Sequence, residues 1–211
     1  MNATSLPRLH VVILAAGFST RLGRPKALVC VQGATLLRRT LTLAAGVSPA
    51  RIIVVLPPRA ARNRIEAQGF NATFVSNLQR ASGLSSSVRR GIAQARFSPA
   101  VLLLPVDMAV LQHREVARLI SRWRGARRRV IARRIGPQGG ASHGGIPLIL
   151  PRWLYSRASA VTGDTGLRDL VGELPVRQRV LLDLPSAALD VDTRRDLHIA
   201  RQRLRRTRVS P

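Results

Sequence analysis

The stretch from Val11 to Lys26, VVILAAGFSTRLGRPK, limits the possible folds of this chain more than any other. Its first four residues are apolar, which is typical of a strand buried on both faces of a parallel sheet. Small residues follow at once, and then cations, among them Arg21 and Lys26. Backbone N–H groups in such a loop can approach an anion closely, and the cations can neutralise a phosphate chain. The stretch therefore predicts a strand followed by a phosphate-binding loop.

The two common phosphate-binding loops do not fit this stretch. The pattern G-x-x-x-x-G-K-[ST] fails because Gly17 and Gly23 are too far apart and Lys26 does not follow the second glycine. The dinucleotide pattern G-x-G-x-x-G fails because Ser19 stands two positions after Gly17. The loop therefore belongs to another class.

The loop resembles the LAAG-x-S-x-R-x-G-x-x-K signature of the nucleotidyltransferases related to the molybdenum cofactor cytidylyltransferases and guanylyltransferases. Each fixed position is met, at Leu14, Ala15, Ala16, Gly17, Ser19, Arg21, Gly23 and Lys26. The resemblance implies that residues 14–17, Arg21 and Lys26 bind the nucleotide, and that Arg21 and Lys26 take part in catalysis. It also implies a Rossmann-like three-layer sandwich with a mostly parallel sheet, of the nucleotide-diphospho-sugar transferase type.

The rest of the chain alternates between strand and helix patterns, which by itself favours an α/β fold with a parallel sheet covered on both faces. Apolar runs predict strands at about 9–15, 51–57, 72–77 and 100–111, and helical spacing predicts helices at 33–46, 59–68 and 113–124. The 211 residues suit one domain, which we place at 9–200. Residues 1–8 are then a disordered lead-in, and residues 201–211 a basic tail.

The formal net charge of +25 invites a nucleic-acid partner. We consider this partner unlikely, because the 35 basic residues are scattered along helices and all but one are arginine. Such uniform use of arginine indicates a compositional bias. The one lysine is Lys26, so its position requires a compact ammonium group rather than a planar guanidinium.

We expect neither a signal peptide nor a membrane span in this chain. No apolar run is long enough to cross a bilayer, and no cleavage site follows the first apolar stretch. The single cysteine, Cys30, excludes an internal disulfide and suits a reducing compartment. We therefore expect a cytoplasmic protein without a membrane partner.

Three aspartates predict a metal site. Asp107 ends the fourth strand, at the edge where open α/β sheets place their ligands. A carboxylate beside a phosphate site needs a shared cation, for which Mg²⁺ is the natural candidate and Mn²⁺ a possible substitute. The alternative is that Asp107 caps the following turn. Asp190 and Asp192 point to one side of an extended segment, so that one of them could complete the metal site.

The resemblance extends to these carboxylates with some departures. Related proteins carry Cys-Asp-Gln-Pro around the strand-end aspartate, and this chain has Val106-Asp107-Met108-Ala109. The segment from Asp190 onward resembles the D-[IV]-D-T-x-x-D-L close of the family. In it, Thr193 is predicted to cap the last helix, with Asp196 completing a capping box.

A glycine–serine element at 83–87 precedes a predicted helix. By itself it is consistent with an N-cap, because hydroxyls and free N–H groups gather at the positive end of a helix. It also resembles the G-[LM]-S-x-S element of the family. That resemblance implies that Gly83, Ser86 and Ser87 contact the base and ribose of the nucleotide.

Candidate acceptor contacts lie in the second half of the chain. Residues 162–171 resemble the family's Gly-Asp-x-Gly-[AL]-Arg element, in which Asp164 could cap the following helix and Arg168 could pair with it or reach an anionic acceptor. His143 lies near the place of the family's Gly-His-Pro, here Gly145-Ile146-Pro147. It either replaces that histidine or is a solvated loop residue.

Together these motifs imply transfer of a nucleoside monophosphate from a nucleoside triphosphate to a phosphate-bearing acceptor, with release of pyrophosphate. The Leu-Ala-Ala-Gly and Gly-Leu-Ser-Ser-Ser forms resemble the cytidylyltransferase branch, which favours CTP, with molybdopterin or molybdenum cofactor as acceptor. GTP, or a sugar or alcohol phosphate acceptor, remains an alternative. A further alternative is a non-catalytic carrier that delivers the cofactor to a molybdoenzyme or its accessory proteins.

Overall fold

A computed structural model describes residues 8–136 and 142–209 of the chain. Its strands are β1 (His10–Leu14), β2 (Cys30–Val31), β3 (Ala34–Thr35), β4 (Arg51–Leu56), β5 (Ala72–Ser76), β6 (Ala100–Pro105), β7 (Val130–Ile135), β8 (His143–Pro151) and β9 (Arg179–Leu182). Its helices are α1 (Leu36–Gly46), α2 (Ala61–Glu66), α3 (Leu84–Gln94), α4 (His113–Gly125), α5 (Tyr155–Ala160), α6 (Gly166–Glu173) and α7 (Arg194–Val209).

A seven-stranded sheet forms the centre of the molecule, with the strand order β5-β4-β1-β6-β8-β7-β9. Strand β8 runs antiparallel to its neighbours β6 and β7, and the other strand pairs of this sheet are parallel. Strands β2 and β3 form a separate antiparallel hairpin. The predicted mostly parallel sheet is confirmed.

Two apolar layers cover the two faces of the sheet. Val11 and Ile13 of β1 belong to one buried cluster, whereas Val12 and Leu14 belong to the other. Helices α1, α4 and α7 supply side chains to the first cluster, and α3, α5 and α6 supply the second. The continuous apolar runs of the central strands follow from this double burial, and the three-layer arrangement is confirmed.

The carboxyl ends of the parallel strands bring distant segments together. Leu14 at the end of β1 pairs with Pro105 at the end of β6. The loop after β1 and Asp107, two residues beyond β6, therefore meet at one edge of the sheet. The fourth strand is shorter than predicted because it ends at Pro105, leaving residues 106–111 in the loop that leads to α4.

The last helix, α7, crosses the boundary predicted at residue 200. Helix α7 continues through Val209, so the described part of the predicted tail is helical. Leu197 and Ala200 are buried and Leu204 packs against the same cluster, so apolar residues at helical spacing anchor this helix. The lead-in predicted at 1–8 lies outside the described residues except for Arg8. Every helix among the described residues is too short or too polar to span a bilayer.

Candidate active site

A cleft of about 1210 Å³ opens at the carboxyl edge of the sheet. The loops that follow β1, β4, β5 and β6 form its walls. The predicted site residues that line it are Leu14, Ala15, Ala16, Gly17, Arg21, Lys26, Gly83, Ser87, Asp107, Asp164 and Asp192. The cleft thus gathers the nucleotide contacts predicted from separate motifs, with the exception of Ser86.

Ser19 shapes the phosphate loop. Its backbone adopts the left-handed region with φ of 56°, and its Oγ accepts a hydrogen bond of 2.8 Å from the backbone N–H of Lys26. This bond closes the loop onto the turn that carries Lys26. Gly17 has open space where a Cβ atom would lie, so its bare backbone faces the cleft.

Lys26 joins two carboxylates that are distant in sequence. Its Nζ donates to Oδ2 of Asp107 at 2.8 Å and to Oδ1 of Asp192 at 2.6 Å. The Lys26 side chain is 15% exposed, against 24% for Asp107 and 47% for Asp192. The ammonium group therefore lies in the cleft wall, with its two partners toward the solvent side.

The electrostatic balance at Lys26 favours the charged form. Burial alone would lower the pKa of Lys26, but the charges and hydrogen bonds of Asp107 and Asp192 together raise its pKa above the ordinary value. A protonated lysine with two carboxylate partners explains why a compact ammonium stands where arginine is used elsewhere in the chain.

Asp190 lies close to this group without joining it. The residue is exposed, yet the protein atoms around its carboxyl raise its pKa to about 6, and the negative charge of Asp107 adds to the shift. Arg133 counteracts part of it. Of the two candidates, Asp192 is the carboxylate that pairs with Lys26.

The carboxylate pair fits a divalent cation. Oxygens of Asp107 and Asp192 both contact Nζ of Lys26, which occupies the point between them, and each carboxylate keeps a second oxygen. Mg²⁺ is commonly held by one or two carboxylates together with phosphate oxygens. The described residues contain no group of three or more His, Cys, Asp or Glu side chains able to hold a metal by themselves. The three predicted aspartates thus do not form a closed cluster, and a metal here would need oxygens from a ligand.

Asp164 caps a different helix from the one predicted. Its Oδ1 accepts a 2.7 Å hydrogen bond from the backbone N–H of Leu84, and the carbonyl oxygen of Gly163 accepts one of 3.1 Å from Ser85. The turn at 163–164 therefore closes the first turn of α3, whereas α6 begins after Thr165. This contact joins the Gly-Asp element to the glycine–serine element across 80 residues of sequence.

The two predicted serine contacts have different surroundings. Nδ2 of Asn77 donates to Oγ of Ser86 at 2.8 Å and to Oγ of Ser87 at 3.0 Å, and the Ser86 hydroxyl donates to the carbonyl of Gly83 at 2.7 Å. Ser86 is 1% exposed and ties α3 to the end of β5, while Ser87 lines the cleft. The role of Asn77 was not predicted, although its position as a polar residue directly after an apolar strand could have indicated it.

The three residues predicted to contact the acceptor do not all lie at the cleft. Asp164 lines the cleft, but Arg168 and His143 are not among its lining residues. Arg168 is exposed beside Asp169, with Nε 3.8 Å from Oδ1, and does not pair with Asp164. His143 lies in β8, where it pairs with Ile135 of β7, so it is a strand residue and not a loop residue. Its contact with an acceptor, like that of Arg168, stays a prediction.

Comparisons with known proteins agree with this geometry. Residues 11–179 match the model of the MobA-like NTP transferase domain. Over 200 residues the chain is 31% identical to the nicotine blue oxidoreductase of Paenarthrobacter nicotinovorans, covering 92% of this chain and 96% of that protein. A shorter match, 51% identical over 59 residues, is to the bifunctional enzyme IspD/IspF of Clavibacter michiganensis and spans 27% of this chain and 14% of that protein.

Solved structures share the same fold. The homologue of Rv0371c from Mycobacterium sp. strain JC1 is 28% identical, with a TM-score of 0.72 over 94% of this chain and 97% of that one. Rv0371c of Mycobacterium tuberculosis in complex with manganese is 24% identical, with a TM-score of 0.73 over 92% and 98%. The 2-C-methyl-D-erythritol 4-phosphate cytidylyltransferase of Thermus thermophilus is 24% identical, with a TM-score of 0.66 over 94% and 99%.

The family match covers the phosphate loop, the glycine–serine element and Asp107, which are the segments that the structure gathers around the cleft. The chain therefore belongs to the family of proteins with a MobA-like NTP transferase domain.

Proposed function

We propose that the protein transfers a nucleoside monophosphate, with CTP as the favoured donor, to molybdopterin or molybdenum cofactor, and releases pyrophosphate. The observation that carries this proposal is the pairing of Lys26 with Asp107 and Asp192 inside a cleft that contains the phosphate loop. Phosphoryl transfer requires groups that neutralise phosphate charge, here the Lys26 ammonium and a metal that the two carboxylates would hold.

The size and charge of the cleft support two substrates. Its volume of about 1210 Å³ is larger than the roughly 300–1000 Å³ typical of a site for one small molecule. Arg21 and Arg24 line it, and in the part of the chain that the structure describes neither makes an ion pair. These guanidinium groups are open to the negative charge of a triphosphate.

The reaction needs positioning and charge neutralisation more than covalent help. An oxygen of the acceptor phosphate attacks the α-phosphorus, the bond from that phosphorus to the bridging oxygen breaks, and pyrophosphate leaves with the electron pair. Lys26 and Arg21 offset the charge that develops on the phosphates. A phosphate monoester is already anionic at neutral pH, so no strong general base is needed.

Asp107 and Asp192 would hold a divalent cation, whose chemistry is to polarise phosphoryl oxygens and neutralise their charge. Rv0371c of Mycobacterium tuberculosis, 24% identical to this chain, forms a complex with manganese, and the paired carboxylates of this chain suit either Mg²⁺ or Mn²⁺. Lys26 shares these carboxylates, so it orients them toward the cleft before a nucleotide arrives.

The choice of base and acceptor rests on the sequence motifs. The cytidylyltransferase resemblance of residues 14–17 and 83–87 favours CTP, and a structural relative is named for cytidylyl transfer to an alcohol phosphate. An alcohol phosphate or GTP is therefore the alternative within the same reaction. A carrier of molybdenum cofactor that delivers it to a molybdoenzyme remains the non-catalytic alternative.

A second candidate function comes from the relative named nicotine blue oxidoreductase, which matches along most of both chains. In that case the cleft would be the site of a redox reaction and not of nucleotidyl transfer. The loop after β1 lacks the second glycine of the dinucleotide pattern, and Lys26 with its carboxylates favours phosphate chemistry instead.

The experiment is pyrophosphate release from each of the four ribonucleoside triphosphates with Mg²⁺, with and without molybdopterin cofactor. The proposal predicts release with CTP that depends on the cofactor and is lost in Asp107→Asn. Cofactor binding that survives in Asp107→Asn, without release in the native protein, would support the carrier. Oxidation of a reduced nicotinamide cofactor in the absence of any release would support the oxidoreductase.

A further inference from the structure

A second group of polar side chains lines the cleft on an element that the proposed function does not use. Arg59 lies in the turn after β4, and Arg62 and Asn63 lie on α2. None of the three belongs to the phosphate loop, the carboxylate pair or the glycine–serine element. Their position in the cleft wall therefore requires a separate explanation.

Asn63 is the buried member of this group. The residue is 4% exposed, and its Nδ2 has no hydrogen-bond partner among the described residues. Buried side-chain donors almost always have a partner, because an unsatisfied donor is costly. Because Asn63 lines the cleft, its unpaired Nδ2 donor is consistent with a hydrogen-bond acceptor that a bound ligand supplies.

Arg59 and Arg62 supply uncompensated positive charge. Both are exposed, and in the described ranges neither forms an ion pair or a side-chain hydrogen bond. Glu66, the acidic residue of α2, does not neutralise them through a bond, because its Oε2 accepts from Oγ1 of Thr35 at 2.9 Å. These guanidinium groups are therefore open to an anion that enters the cleft.

The backbone at Arg59 adds a structural argument. Its φ of 56° lies in the left-handed region, which is uncommon for a residue other than glycine. Residues in such conformations cluster where a site requires them. Two guanidinium groups and an amide donor are a donor set suited to phosphate oxygens, which arginine binds in a bidentate manner.

We propose that Arg59, Arg62 and Asn63 form a second phosphate-binding subsite of the cleft, additional to the phosphate loop. The phosphate it takes is either the terminal part of the nucleoside triphosphate or the phosphate of the acceptor, and this choice of source rests on the proposed function. The subsite itself requires only that a phosphate group enters the cleft.

The chain offers a matched control on the same helix. Arg64 is exposed like Arg62, but its guanidinium lies over the ring of Phe74, 5.1 Å from the centroid, and it is not among the residues that line the cleft. Replacing Arg62 or Arg64 by alanine removes the same charge from α2. A difference between the two variants therefore reports position and not net charge.

The test is calorimetric titration of inorganic pyrophosphate into the full chain at fixed ionic strength. We expect Arg62→Ala and Asn63→Leu to bind about tenfold more weakly than the native protein, as for loss of a hydrogen bond to a charged group. Arg64→Ala should bind within about twofold of native. Equal binding by all variants, or an equal loss in Arg64→Ala, would overturn the subsite.

Two further variants separate ligand contact from folding. Asn63→Asp is nearly isosteric and replaces the open donor with a carboxylate, so it should weaken pyrophosphate binding even where Asn63→Leu unfolds. Arg59→Gly suits the left-handed backbone, so it should weaken binding without lowering the urea midpoint. Native affinity in both variants would contradict the proposal.

A competition arm identifies the source of the phosphate. Pyrophosphate binding that disappears when the protein is saturated with α,β-methylene CTP assigns the subsite to the triphosphate, and binding that persists assigns it to the acceptor. If α,β-methylene nucleotides do not bind at all, the proposed function is contradicted. The comparison of Arg62→Ala with Arg64→Ala still decides whether the subsite exists.

Discussion

Lys26 shows how one residue type can be required by geometry. An ammonium group carries three N–H donors, and two of them are directed at Asp107 and Asp192. In the proposed reaction, the third would be available to an oxygen of the nucleotide. The planar fork of an arginine cannot donate to two carboxylates and a phosphate from one point, so the single lysine of the chain occurs here.

Replacement of Lys26 should separate its two roles. We expect Lys26→Met and Lys26→Arg to lower kcat/KM for pyrophosphate release at least about 100-fold, as for loss of a preorganised charge. Lys26→Met should also bind Mn²⁺ more tightly without nucleotide, because the ammonium no longer shares the carboxylates. Electron paramagnetic resonance of free Mn²⁺ measures this affinity, and turnover by Lys26→Arg close to native would contradict the geometric argument.

Gly83 is a second residue whose identity the structure requires. Its φ is +84°, and a Cβ atom there would lie 2.7 Å from Oδ1 of Asp164 and 2.9 Å from the carbonyl carbon of Gly163. We expect Gly83→Ala to lower the free energy of unfolding by about 1–3 kcal/mol, measured by urea denaturation.

Gly17→Ala is the matched control for Gly83→Ala, since a Cβ atom at Gly17 meets nothing within 4 Å. Its stability should stay within about 0.5 kcal/mol of native. Equal stability losses in the two alanine variants would show that the contact with Asp164 is not what requires Gly83.

At the scale of elements, the helix starts show which features a sequence reveals. Helix α7 begins as predicted with a capping box: the Asp196 backbone N–H donates to Oγ1 of Thr193 at 3.2 Å, and Thr193 N–H donates to Oδ2 of Asp196 at 2.8 Å. Helix α3 begins with a cap from Asp164, 80 residues away. The first contact is local and follows from residue spacing, whereas the second depends on the tertiary fold.

The capping box predicts a pH-dependent stability. Hydrogen bonds from Thr193 hold the pKa of Asp196 below its ordinary value, so its contribution is complete above about pH 4 and is lost as the pH falls through the lowered pKa. Asp196→Asn should therefore lower the free energy of unfolding at pH 7 by less than about 1 kcal/mol, because solvent screens an exposed carboxylate. The gap between native and variant should narrow below pH 4 in urea denaturation. A constant gap at all pH values, or an equal loss in the exposed control Asp169→Asn, would contradict this cause.

Much of the site could be predicted from sequence because its motifs are short and follow strands. The loop at 14–26 and Asp107 end neighbouring parallel strands, and topology then places them together. The sequence could not show that Lys26 pairs with Asp192 and not with Asp190. It also could not show that the Ser86 hydroxyl accepts a hydrogen bond from Asn77. Both contacts depend on side-chain directions that are set by packing. Asn63 lay outside every motif and was not predicted.

At the scale of the whole molecule, the net charge of +25 raises the question of nucleic acid. Arginines scattered over many helices give an electrostatic attraction without base contacts. We expect a nonspecific DNA duplex to bind measurably at about 50 mM salt and to lose binding at physiological ionic strength, as measured by fluorescence anisotropy. A high affinity for DNA that does not change with salt concentration would instead indicate a nucleic-acid function.

The most direct test of nucleotidyl transfer follows the label of the donor nucleotide. With CTP, Mg²⁺ and molybdopterin cofactor, label at the α-phosphate should appear in the acceptor and label at the γ-phosphate in pyrophosphate, and both should disappear in Asp107→Asn. The proposed transfer would be contradicted if the α-phosphate label stayed in the free nucleotide with every donor and acceptor tested.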